Sequence, residues 1–262
     1  MTSSINRAAF VLAVLAPSVV AAQGGAPRRP SPAPAAAANK VPVAQVKVDG
    51  RQLRAGTWNY RSTATANGQT RTIDRVLTLA PATLNGSTAW LVVDSQGEPP
   101  LRMYDSLYLS RDAMLPLRHR LRAGPNSVAL DFGRDSAKGT MTLPSGSGPI
   151  AAAYTPGTMV TGTMLEMYLR LLPLAAGYKG SLTLGALSPR GTQLAPVSVE
   201  VVGEESVTVP AGSFATYVVA LKGQGSEQKI WVNKATKEVV KINAAFAQMP
   251  GAKIETVLMA RK

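Results

Sequence analysis

The 262-residue chain contains no cysteine and a single histidine, His119. Without thiols it can form no disulfide framework, no thiolate-ligated zinc or iron–sulfur site and no cysteine nucleophile. A Ser-His-Asp triad would have to use His119, and transition-metal sites would lack most of their usual ligands. Aromatic residues make up 5% of the chain and charged residues 16%. Acids are the scarcer sign: 15 Asp and Glu stand against 28 Lys and Arg, a formal net charge of +13. Past the N-terminus no apolar run is long enough for a transmembrane helix. There is no glycine-rich phosphate loop, nucleophile elbow or HExxH motif, and the chain reads as a non-enzyme without cofactor, metal or catalytic residues. What is present is 45% hydrophobic residues, enough to bury a core.

The N-terminus carries an address. Arg7 precedes the apolar run Ala8–Val20, and Ala21 and Ala22 supply the small residues a signal peptidase needs, with cleavage expected before Gln23. Residues 1–22 therefore read as a cleavable signal peptide, and the protein as periplasmic or secreted. It is not expected to be a lipoprotein, because that anchor requires a cysteine. Residues 23–40 hold Pro27, Pro30, Pro32 and Pro34 among Ala and Gly and read as a disordered tether. Residues 41–262 read as a single β-rich domain. The basic residues are scattered rather than clustered, so the expected partner of this charge is an anionic envelope surface and not nucleic acid.

From Val41 onward the text becomes short β-rich runs cut by turn residues. Strands are predicted at Thr57–Ala64, Thr72–Ala80, Thr88–Asp94, Leu101–Leu109, Leu117–Ala123, Ser127–Phe132 and Gly139–Leu143. They resume at Gly180–Leu187, Pro196–Val209, Ala215–Lys222, Gln228–Asn233, Glu238–Asn243 and Ile254–Met259. Asn67-Gly68 and Asn85-Gly86 fit tight hairpin turns, since both residues tolerate positive φ. The pattern is mainly β, a large antiparallel meander that is either a closed barrel or a half-open curved sheet. One segment breaks the period. Thr158–Pro173 sets Met164, Leu165, Tyr168, Leu171 and Leu172 at helical spacing with Glu166 and Arg170 turned elsewhere, which predicts one amphipathic helix. Thr158 or Thr161 can cap it, and Pro144–Pro149 reads as a flexible approach.

Several of these segments resemble a known family. Val209-Pro-Ala-Gly-Ser-Phe214, Tyr217-Val-Val-Ala-Leu221, Ile230-Trp-Val232 and Val239-Val-Lys-Ile242 are similar to the end of the exported bacterial domain of unknown function 3108. Tyr104–Leu109 with Leu115-Pro116 and Leu117–Arg120 resembles its middle, and Met167–Leu174 with Gly177 its helix and exit. Trp strands after such a turn are also similar to carriers of the LolA type. The resemblance spans Gly56 to Lys262 and implies a curved, incomplete β-barrel exported to the envelope, with no established activity.

Three sets of side chains carry the functional expectations. His119 lies in Leu117–Ala123, where period two places it on the apolar side with Leu117 and Leu121, as a core or pocket-edge residue. Arg118, Arg120 and Arg122 take the other side, spaced for an extended anionic surface or simply solvated. Met159, Met164 and Met167, with Tyr168 and Leu171, crowd the helix; methionine lines surfaces that accept variable apolar ligands, and it also fills cores. Two readings follow. One is a non-catalytic binding module whose helix covers a lipid-like or amphiphilic ligand. The other is a structural or interaction protein with a filled core that docks by its basic surface on an envelope partner.

Overall fold

The computed structural model describes residues 46–100, 102–188, 191–223, 226–246 and 251–262, so the signal peptide expected at 1–22 and the tether expected at 23–40 lie outside the described residues. The first half of the chain forms β1 (Gly56–Ala66), β2 (Gln69–Leu84), β3 (Ser87–Gln96), β4 (Met103–Ser110), β5 (Pro116–Ala123), β6 (Asn126–Phe132), β7 (Ser136–Leu143) and β8 (Gly146–Ala153). Then come β9 (Thr158–Met159), α1 (Gly162–Leu169), β10 (Lys179–Ser188), β11 (Gly191–Val209), β12 (Gly212–Gly223), β13 (Ser226–Asn233), β14 (Val239–Phe246) and β15 (Lys253–Arg261).

The fifteen strands described make one sheet in the order β8-β7-β6-β5-β4-β3-β2-β1-β15-β14-β13-β12-β11-β10-β9. Two meanders thus run outward from a seam where β1 pairs antiparallel with β15. Neighbours are antiparallel except β9 and β10. The sheet is mainly β and curved, and it does not close by a ladder. The β8 end comes beside β11, where the Thr192 hydroxyl donates to the Ala153 carbonyl.

Local chemistry explains most of the boundaries. Asn67 and Gly68 have φ of 51° and 73°, and Asn85 and Gly86 of 50° and 79°, so both hairpins turn as the dipeptides predict. Along β1 the inward side chains alternate, with Trp58, Tyr60, Ser62, Ala64 and Ala66 buried. Before β1 the chain makes a short 3-10 turn, Gly50–Gln52, capped by Asp49. It lies tight against the sheet: a Cβ on Gly50 would sit 2.5 Å from the Arg111 carbonyl oxygen, and Trp90 Nε1 donates to the Gly50 carbonyl at 2.8 Å.

Four expectations need correction. The helix is eight residues rather than sixteen, because Thr158–Met159 pairs with β10 as a strand and Thr161 supplies the cap, accepting from the Met164 amide at 3.0 Å. It is not amphipathic toward solvent: all eight of its residues are buried, Glu166 among them. The Gly-Ser-Gly-Pro stretch is not only an approach, since Gly146 opens β8; as the edge strand, β8 tolerates Pro149 within it. Leu117 and Leu121 are only half-buried, unlike His119, and a bulge opposite Tyr108 and Leu109 breaks the alternation at Leu117.

Candidate functional site

The inner face of β1–β5 would be an apolar wall but for one belt of charge. Arg75 shares inward parity with Leu77 and Leu79 on β2, Asp94 with Trp90 and Val92 on β3, and Asp105 with Leu107 and Leu109 on β4. Register makes Asp94 and Asp105 direct cross-strand partners, sets Arg75 opposite Tyr60 and Gln96, and leaves Arg75 diagonal to Asp94. Helix α1 lies over this belt and adds Thr163, Glu166 and, just past its end, Arg170.

The contacts form one continuous network. Arg75 Nη2 lies 2.9 Å from Asp94 Oδ2 and 2.8 Å from Glu166 Oε2, with its side chain 1% exposed. Arg170 Nη2 holds the other Glu166 oxygen at 3.0 Å, and the Arg170 guanidinium carbon lies over the Trp58 ring, 4.0 Å from its centroid. Thr163 Oγ1 stands 3.4 Å from Asp94 Oδ2 and 3.4 Å from Asp105 Oδ2, bridging the two carboxylates from the helix side. His119 Nε2 hydrogen-bonds Asp105 Oδ1 at 2.8 Å. Tyr60 Oη donates to the Val239 carbonyl at 3.0 Å and lies 3.5 Å from Glu166 Oε1. Trp58 Nε1 donates to Glu238 Oε1 at 3.0 Å, which carries the network to the rim of the sheet.

Electrostatics divide these groups. Burial raises the Glu166 carboxyl, but the Arg75 and Arg170 guanidiniums outweigh it and hold the group below its usual range. Burial pushes Asp94 above the usual carboxylate range, with Arg75 offsetting only part of the cost and Asp105 adding to it. Tyr60 is raised by burial and by Glu166. Two buried nitrogens in the belt, Arg75 Nη1 and Arg170 Nε, have no hydrogen-bond partner among the described residues.

The methionine set predicted from sequence comes together here. Met159, Met164, Met167 and Tyr168 are buried members of the main apolar cluster, with Leu171 half-buried against it. Two surface cavities, of 390 and 630 Å³, are lined by other elements. The arginine set does not present three free guanidiniums: Arg118 Nε and Arg120 Nη2 both engage Asp131, at 2.6 and 3.0 Å, while Arg122 is exposed. Sequence reasoning found His119 but not its partner Asp105, and it turned Glu166 and Arg170 away from the apolar face without giving them partners. The signal it passed over was parity, because Arg75, Asp94 and Asp105 each occupy a core position in an alternating strand.

Three solved structures are similar at low identity. A protein with a YmcC-like fold from Bacteroides fragilis is 14% identical over 83% of this chain and 100% of its own, with a TM-score of 0.33. The hypothetical lipoprotein YmcC from Escherichia coli is 12% identical over 80% of this chain and 86% of its own, with a TM-score of 0.30. A LolA superfamily protein from Nitrosomonas europaea is 12% identical over 81% of this chain and 89% of its own, with a TM-score of 0.27. No curated protein matches the chain. The family model described as "Protein of unknown function (DUF3108)" matches residues 52–254, which include every strand from β1 to β14 and the whole charged belt. The chain belongs to the DUF3108 family.

Proposed function

We propose that the protein is an exported, non-catalytic binding module for a lipid-like or amphiphilic ligand, and that α1 occupies the place the ligand's apolar part takes. The observation that carries this reading is a wholly buried short helix that brings Glu166 into the apolar cluster and fastens it to Arg75. Eight residues are too few for a helix to hold by itself, so α1 persists through tertiary contacts. A permanent plug would be at least as stable with apolar residues, because taking charges out of water costs several kcal/mol per ion. A helix that leaves regains that hydration, which offsets part of the apolar burial it loses. Its flanks suit movement, with Gly157 and Gly177 at φ of 90° and 74°. Met159, Met164, Met167, Tyr168 and Leu171 would then face the ligand, and methionine adapts to varied chains. Export is supported by Arg7, the apolar run after it and Ala21-Ala22; we read residues 41–262 as one folded unit behind the tether.

A second reading has its own support. Met164 and Met167 are 0% exposed, the packing expected of a filled core in a structural or interaction protein. Uptake of a fluorescent fatty acyl probe separates the two. On the binding reading the wild type takes up the probe, and Glu166→Gln, which loosens the helix, takes it up faster with the β circular-dichroism spectrum retained. No uptake by either protein at high probe concentration would leave the filled-core reading standing.

A further inference from the structure

At the end of the sheet beyond Trp58, β15 parts from β14. The two strands pair only from Lys241↔Val257 to Ala245↔Lys253, whereas β15 continues along β1 to Arg261. A bulge between Asn59 and Tyr60 adds an extra residue, Met259, to β15 at the same place. The β11–β12 hairpin overhangs the split and crosses to β15, where the Ala211 amide donates to the Leu258 carbonyl at 3.2 Å. A cavity of 390 Å³ remains beneath it, with Phe214, Ala211 and Leu258 as apolar wall and Asn233, Glu238 and Arg261 as polar wall.

The polar wall is organised around one cation. Glu238 is buried; its Oε1 accepts from Trp58 Nε1 at 3.0 Å and forms an ion pair with Arg261 Nε at 3.0 Å, while Oε2 accepts from Thr236 Oγ1 at 2.9 Å. Arg261 is therefore gripped by its Nε, and its side chain is 51% exposed. Its two terminal nitrogens make no further hydrogen bond or ion pair among the described residues. A guanidinium fixed at Nε with its outer fork open is the geometry that takes a carboxylate or phosphate through two parallel hydrogen bonds. The turn beside it carries Lys234, which pairs with Glu204, and Lys237, which donates to the Leu174 carbonyl; both lie over the Tyr217 ring, so Arg261 is the cation that faces the cavity.

We infer that this cavity is a binding site for a small acid with a short apolar body, a carboxylate or phosphate monoester whose charged end meets Arg261 and whose apolar end lies against Phe214 and Leu258. The site is separate from the place of α1 and does not depend on the binding reading given above. Its volume suits a short chain and not a whole phospholipid.

Trp58 is the built-in reporter, since its indole N–H shares the Glu238 oxygen with Arg261. The chain has three tryptophans, so the indole signals of Trp58, Trp90 and Trp231 can be assigned by single Phe substitutions and followed by 15N NMR. Octyl phosphate and octanoate, kept below micelle formation, should shift the Trp58 signal saturably and leave Trp90 unmoved. Arg261→Gln should weaken that response at least tenfold, and Arg261→Lys, which keeps the charge without the fork, should weaken it several-fold. Both variants should stay folded, with the wild-type β circular-dichroism spectrum. The Met164→Asp, Met167→Asp double variant, where folded, should keep the Trp58 response even if acyl-probe uptake is lost. An equal response to inorganic phosphate would overturn the requirement for an apolar body. An equal response to octanol, a Trp58 shift only on vesicles containing phosphatidate, or an undiminished response in Arg261→Gln would overturn the site.

Discussion

Arg75 and Arg120 each grip an aspartate from the sheet, Arg75 with Asp94 at 2.9 Å and Arg120 with Asp131 at 3.0 Å. The pairs look alike and differ in surroundings. Arg75 is 1% exposed and lies under α1; Arg120 is 38% exposed on the opposite face. Outside, water already satisfies both ions, so the contact adds little, and salt screens it further. Inside, neither ion has another source of solvation, so each is costly unless its partner is in place. The contrast teaches that a carboxylate–guanidinium distance carries no energy by itself. The inner pair ties a helix to a sheet; the outer pair decorates a strand.

The sharpest way to break this comparison is to remove the inner cation. Arg75→Met leaves Asp94 and Glu166 facing each other in an apolar setting and should cost about 3 to 5 kcal/mol by urea unfolding. Arg75→Met with Asp94→Leu should recover much of that loss, because Glu166 and Arg170 remain a pair. A loss below 1 kcal/mol in the single variant would mean that the belt is hydrated and no different from the outer pair.

The outer face is buried in places as well. Trp231 is 7% exposed, and its neighbours Ile230 and Val232 are buried as well, so both faces of β13 are covered and not one, as alternation alone suggests. Glu205 accepts from the Trp231 indole, and Lys241 lies 5.3 Å over its ring. Trp231→Ala should cost about 3 kcal/mol, at the lower end for a buried tryptophan because its cover is made of charged side chains. A melting curve like the wild type's would return that face wholly to the surface class.

Glu166 gives a pH test. Its folded pKa lies below its usual value of 4.5, so it contributes stability that is fully present above about pH 5.5 and lost as pH falls through the folded pKa. Asp94 has the opposite sign: its folded pKa lies above 3.8, and it favours the folded state at low pH, an advantage lost as pH rises. Glu166→Gln should therefore cost about 1 to 3 kcal/mol at pH 7 and show a flatter acid limb than the wild type. Parallel acid limbs would assign the acid sensitivity to other carboxylates.

The smallest effect is expected outside. Arg120→Ala should change stability by about 1 kcal/mol or less, and the difference from the wild type should shrink further in 0.5 M salt, a readout that Arg75→Met should not share. If both differences shrink alike, the inner belt is open to solvent.

Reading the chain by period two was enough for most strands, because each hairpin is a local event. Alternating side chains meet one wet and one dry face, and Asn-Gly pairs supply the positive φ that closes the turns at 67–68 and 85–86. The extent of α1 was less legible, since Thr158 and Met159 are drawn into a parallel ladder with β10 that no local preference signals. β8 was hidden for a similar reason: Gly146–Pro149 has the composition of a loop and becomes a strand only because β7 offers it an edge.

What the sequence alone determined is the β-meander, the identity of its turns and the absence of thiol chemistry. These follow from residue type and short-range spacing. The tertiary structure decided which charges are interior. Arg75, Asp94, Asp105, Glu166 and Arg170 are scattered over 96 positions of the chain, from 75 to 170. Only strand register and the placement of α1 bring them within hydrogen-bond distance. A charge in an alternating strand can be solvated or paired at the same parity, and the choice belongs to whatever packs on top of it.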